Sequence, residues 1–119
     1  MSNKPLLQSN EDVLKIVYKI ADLIKYDINE DGIVTVYRPY DHPIQNFFRK
    51  LKLRIPKEKK MELDQKSSFV FKQIDGEKTI EEIGKLVEEE FQDETNPVYE
   101  NLLLFLNHIE VNEKFIKKV

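Results

Sequence analysis

Apolar residues change their spacing several times along the chain, and each change marks an element. Val13, Leu14, Ile16, Val17, Ile20, Ala21 and Ile24 recur three and four residues apart, the period of one helical face. Ser9 or Asn10 can cap this helix, with Asp12 in its first turn, and the spacing predicts an amphipathic helix over about 10–23. Ile24, Tyr26 and Ile28 then alternate as in a strand, and Glu30-Asp31-Gly32 separates them from a β-branched run, Ile33 to Arg38. Asp-Gly between two such runs signals a hairpin whose primed turn needs φ above zero at both central residues. The same stretch, Asp27-x-Asn29-x-Asp31-Gly32, imitates the start of a calcium loop. A bidentate Glu belongs at the closing position, yet Arg38 stands there and no helix follows, so the residues favour the hairpin.

Beyond Pro39 and Pro43, the short apolar group Ile44, Phe47, Phe48 and Leu51 fits one or two helical turns. Ile55 to Leu63 reads IPKEKKMEL, with Ile55, Met61 and Leu63 on one side of an alternating strand that Lys57 and Lys59 interrupt. So charged a strand belongs at a sheet edge, where lysines discourage indiscriminate pairing. Open edges also accept extended peptides.

Helix signals then follow in close order. Asp64 caps a helix to about Ile74 that buries Phe69, Val70, Phe71 and Ile74, and Asp75-Gly76 ends it. Thr79-Ile80-Glu81-Glu82 is a capping box, and Ile80, Ile83, Val87 and Phe91 form one face of the helix it opens. Gly84 inside that helix costs up to ~1 kcal/mol relative to alanine, which predicts the close approach of another backbone. Asn96-Pro97 starts a third helix with a core stripe of Val98, Leu102, Phe105, Leu106 and Ile109. Tyr99 and Leu103 fall on one flank of the stripe, Leu104 and His108 on the other. Phe115-Ile116 predicts a short terminal strand. These elements predict one α+β domain over residues 1–119, winged-helix-like, in which an N-terminal three-stranded antiparallel sheet precedes a three-helix bundle.

Composition narrows the chemistry. The 119 residues suffice for one core, no stretch approaches the ~20 apolar residues of a membrane span, and the start lacks a charged-then-apolar signal pattern, so the expectation is a cytoplasmic protein. The chain has no cysteine, which excludes disulfides, zinc–thiolate sites and thiol nucleophiles. His42 and His108 have no identifiable acid or nucleophile partner, and no glycine loop cradles phosphate. The reading is therefore a protein that is not an enzyme and uses no cofactor or metal. Net charge is only −3, but the run RKLKLRIPKEKK from Arg49 to Lys60 is strongly basic while Glu77 to Glu100 is acidic. A basic run on such a fold raises DNA binding, as in a winged-helix regulator. The helix that would enter a groove, however, carries Glu100 and Glu110 and no Lys or Arg between Pro97 and Val111, which phosphate would repel. A structural adaptor that docks through the first helix is the other alternative.

The block ELDQKSSFVFKQIDGEKTIEEIGKLVEEEF, followed by VYENLLLFLNHIEVNEKFIKK, resembles the PqqD family of peptide-recognition chaperones. The resemblance rests on Leu63-Asp64, Ser68-Phe69-Val70-Phe71, Ile74-Asp75-Gly76, Thr79-Ile80-Glu81-Glu82-Ile83, the Phe105-Leu106 pair and the closing Phe115-Ile116. It covers Arg54 to the end, and the hairpin before it more loosely. It implies a winged-helix-like domain that binds the leader of a ribosomal precursor peptide and presents it to a modifying enzyme, often a radical enzyme. The leader would add as a strand to Arg54–Leu63 and lie beside Pro97–Val111. Lys57, Lys59, Lys60 and Met61 on the strand, with Tyr99, Leu103 and Leu104 on the helix, are the expected peptide-binding residues. The helix before Tyr26 and the segment from His42 to Lys52 are additions to the minimal family pattern.

Overall fold

The hairpin forms where the alternation places it, but its turn is of another kind. Strands β2 (Lys25–Ile28) and β3 (Val34–Pro39) pair antiparallel, with Ile28 opposite Val34. The Asn29 carbonyl accepts from Gly32 N–H at 3.0 Å, and Asn29 N–H donates to the Ile33 carbonyl at 3.0 Å. Only Gly32 has positive φ, at 81°, so Asp31 does not adopt the left-handed backbone that a primed turn requires. The loop is an ordinary turn followed by a left-handed glycine, the three-residue hairpin solution. The Asn29 carboxamide oxygen accepts from both Asp31 and Ile33 N–H at 2.9 Å, which spends it on the turn.

The computed structural model describes residues 10–40, 46, 47, 49–52, 58–92 and 97–119. Among them β4 (Glu58–Glu62) adds to the other side of β3, giving the sheet order β2-β3-β4, all antiparallel. Val34 and Val36 at its centre are fully buried under helix α2 (Gln65–Gln73). Ser68 of α2 fastens the two layers: its hydroxyl accepts from Val34 N–H at 2.8 Å and donates to the Leu63 carbonyl at 3.4 Å. Helices α3 (Ile80–Phe91) and α4 (Val98–Asn107) complete the helical layer, and α4 runs on as a π-helical turn, His108–Asn112. The molecule is thus mixed α and β, with a three-stranded antiparallel sheet and several helices around one core that includes Phe71, Ile80, Ile83, Leu106, Ile109 and Phe115.

The long first helix expected over 10–23 does not form. Helix α1 stops after Asn10–Leu14, and Tyr18–Ile20 is a strand, β1, paired antiparallel with the terminal strand β5 (Ile116–Lys118). Ile16-Val17-Tyr18 with Ile20 suits a helical stripe and a strand equally, and the terminal strand decides between them by supplying a partner. The other side of β1 is also occupied, since Gly76 N–H donates to the Tyr18 carbonyl and Ile80 N–H to that of Ile16, both at 3.0 Å. Tyr18 itself is buried and its hydroxyl donates to Glu110 at 3.0 Å.

The remaining local signals mostly appear as expected. Asp64 Oδ1 accepts from Ser67 N–H at 2.8 Å, Gly76 takes φ 82°, and Thr79 and Glu82 form both halves of the capping box. Phe69 and Phe91 are half-buried and meet edge to face rather than joining the core. Around Phe47 there is one helical turn, with Leu51 N–H on the Phe47 carbonyl and both side chains exposed. Lys57, the proposed caps Ser9 and Asn96, and His42, Pro43, Ile44 and Ile55 lie outside the described residues, as does the side chain of Phe48. No helix among the described residues is long and apolar enough to cross a membrane.

Candidate peptide-binding edge and cleft

Backbone alternation decides which groups β4 leaves free. Leu63 N–H donates to the Val34 carbonyl at 2.9 Å, and on the opposite strand Asn29–Ile33 fixes β3 residues 33, 35 and 37 as those that bond to β2. In an antiparallel ladder the two directions alternate, so Leu63, Met61 and Lys59 point their backbone groups at β3. Glu58, Lys60 and Glu62 point theirs outward, where no described strand pairs with them. Side chains alternate too. Lys59 and Met61 are half-buried on the inner face, while Glu58, Lys60 and Glu62 are exposed on the outer one.

This places the expected lysines in different roles. Lys59 turns inward and its Nζ lies 2.6 Å from Oε1 of Glu113, whose side chain is 8% exposed. It is therefore not a free cation for a peptide. The other oxygen of Glu113 sits 3.3 Å from His108 Nε2, so one buried carboxylate serves two partners, and His108, which shows no acid partner in sequence, has one in space. The π-helical turn supplies this geometry, with Glu113 N–H closing on the His108 carbonyl at 3.1 Å. Lys60 remains exposed. Opposite Lys59 in the ladder stands Arg38, whose buried Nε has no hydrogen-bond partner among the described residues. Neighbouring cations on one sheet face repel unless something anionic lies between them, and sequence offered no sign of this juxtaposition.

The two flanks of α4 differ. Tyr99 faces α3: its ring lies on Gly84, and its hydroxyl donates to the Glu81 carbonyl at 3.2 Å. What closes on Gly84 is thus a side-chain ring, not another backbone. Burial, with Glu88 and Glu81 nearby, raises the Tyr99 pKa and keeps the phenol protonated as a donor. Tyr99 is thus spent on the contact with α3, and Leu103 is half-buried. Leu104 on the opposite flank is 70% exposed, and Val111 in the π-helical turn is exposed as well.

A cleft of about 210 Å³ opens between α2 and α4, floored by Val70, Val87 and Leu102 and bordered by Ser67, Asn101 and Phe105. Asp64, two residues past the end of β4, also lines it. The helical stripe had assigned Phe105 and Val98 to the core. Both are only partly buried and line the cleft instead. Asn101 one turn from Phe105 is the one signal that this helix face is not wholly core. The site thus offers backbone donors and acceptors beside an apolar recess with a polar rim, a combination that suits an extended chain with one or two apolar anchors. Among the described residues no three His, Asp or Glu side chains gather as metal ligands. Comparison with protein-family models, with curated proteins and with solved structures finds no match to this chain.

Proposed function

We propose that the protein is a noncatalytic peptide-binding module of the PqqD type, winged-helix-like in arrangement, which holds the leader of a ribosomal precursor peptide for a modifying enzyme. The observation that carries the reading is the edge of β4, which no described strand pairs, together with the cleft between α2 and α4 that Asp64, two residues beyond the strand, helps to line. The leader backbone pairs with Glu58, Lys60 and Glu62. An apolar anchor then enters the cleft beside Phe105, and acidic positions meet Lys60. Main-chain pairing supplies affinity and the cleft selects sequence. The modifying enzyme is read from the family resemblance, with a radical enzyme as the expected kind.

The decisive substitution is Lys60→Pro, because it deletes an outward N–H at a position where an edge strand tolerates proline. Against peptides selected from a displayed library, we expect about tenfold weaker binding with helical circular dichroism unchanged, the order of one lost hydrogen bond plus local misfit. Met61→Pro is the contrasting variant: its N–H faces β3, so it unsettles the sheet itself. Equal affinity of folded Lys60→Pro and the parent chain would remove the β4 edge from the site. Against DNA, α4 presents Glu100 and no cation, and the adaptor reading loses the long helix it required.

A further inference from the structure

The sheet has a second open edge, and it differs from β4 in chemistry. On the outer side of β2 no described strand pairs. By the same alternation Tyr26 and Ile28 turn their backbone N–H and C=O outward there. Their side chains share a face with Val34 and Val36 but lie at its margin, 45% and 50% exposed, and Tyr26 reaches only as far as the edge of Phe71. Leu23, just before the strand, is 78% exposed and held at φ 70°, a conformation that a bulky residue rarely adopts. Where β4 is guarded by charge, β2 combines free backbone groups with exposed apolar side chains, the features of an edge that joins another.

We infer that β2 pairs antiparallel with β2 of a second copy about a two-fold axis through Tyr26, making a continuous six-stranded sheet. The sequence of the strand is self-complementary in this register. Tyr26 meets Tyr26 of the partner subunit in a hydrogen-bonded pair, as its outward backbone requires. Lys25 then stands opposite the partner's Asp27, and Asp27 opposite the partner's Lys25, on the exposed outer face. On the inner face Ile28 meets the partner's Ile24. Registers shifted by one residue point bonding groups away from each other, and centring on Asp27 instead sets two carboxylates together. An interface with the same surface on both subunits closes after two copies. Both β4 edges remain at the outer ends, so this inference stands apart from the peptide reading.

Charge reversal tests the register. The full chain, measured by sedimentation equilibrium, should approach twice the 14.2 kDa chain mass as concentration rises. Lys25→Glu alone sets Glu against Asp27 and Asp27→Lys alone sets Lys against Lys25, and each should weaken dimerisation by about tenfold or more. Mixing the two single variants restores both opposite-charge contacts and should return the dimer, as should the double variant Lys25→Glu/Asp27→Lys in one chain. Both residues are exposed, and unchanged circular dichroism of each variant separates lost association from lost folding. A parent chain that stays monomeric up to about 1 mM, the weak limit of specific association, overturns the inference. So does a dimer that survives both single reversals, or one that mixing fails to restore.

Discussion

Gly84 shows how one residue can carry a tertiary contact that its own helix opposes. Glycine costs a helix interior up to about 1 kcal/mol against alanine. Yet a Cβ at position 84 would lie 2.6 Å from Cζ of Tyr99 and 2.9 Å from its hydroxyl oxygen. Tyr99 is pinned by its bond to the Glu81 carbonyl, so the ring has little room to move. Gly84→Ala is accordingly expected to destabilise by about 1–3 kcal/mol in denaturant unfolding despite its better propensity. Tyr99→Ala should remove most of that penalty in the double variant, a non-additivity that a mutant cycle reads directly. The glycine announced a close approach in sequence, but helical spacing could not say that a flank tyrosine makes it. Glu113 is a second such residue. Glu113→Gln keeps the shape but leaves Lys59 with a neutral partner, and a loss of about 1–2 kcal/mol is expected, measured the same way.

At the scale of elements, what was legible in sequence was local. Asp64, Thr79 with Glu82, and Gly76 each act within a few residues of themselves, so their roles follow from type and spacing. Two of these devices make stability depend on pH. The Asp75 carboxylate is held well below the usual range by the Lys78 ammonium and by Lys78 and Glu77 N–H groups. The Thr79 N–H and hydroxyl lower that of Glu82. Both depressed values mean that the unfolded chain takes up protons first on acidification. The stability they lend is full above about pH 5, clear of both unfolded values, and is lost as pH falls through the lower folded values. Thermal unfolding between pH 5 and 2 should therefore show a falling midpoint, less steep in Asp75→Asn. Strand β1 was illegible for the opposite reason. Its apolar pattern satisfies a helical period as well as a strand, and the partner that settles it, Ile116–Lys118, lies at the other end of the chain. The inward turn of Lys59 escaped notice likewise, because its reason, Glu113, arrives through a π-helical turn that no residue pattern announces.

Seen whole, the molecule is organised by the two margins of its sheet. β3 is the shared centre, Val34 and Val36 fix it to the helices, and each outer strand shows a different face to its surroundings. β2 offers apolar side chains with a matched Lys–Asp pair, which suits a like strand. β4 offers charge outside, and the helix cap that follows it borders a cleft, which suits a chain of another kind. Fold class and strand edge could be read from alternation and lysine placement, whereas the cleft required the packing of α2 against α4. A peptide bound as proposed must capture the outward backbone groups of β4. Amide hydrogen exchange of the full chain with and without a display-selected peptide measures those groups one by one. The Lys60 and Glu62 amides should exchange freely alone and become protected on binding, with Met61 protected throughout. Tight binding that leaves Lys60 and Glu62 as exposed as before would contradict the proposal.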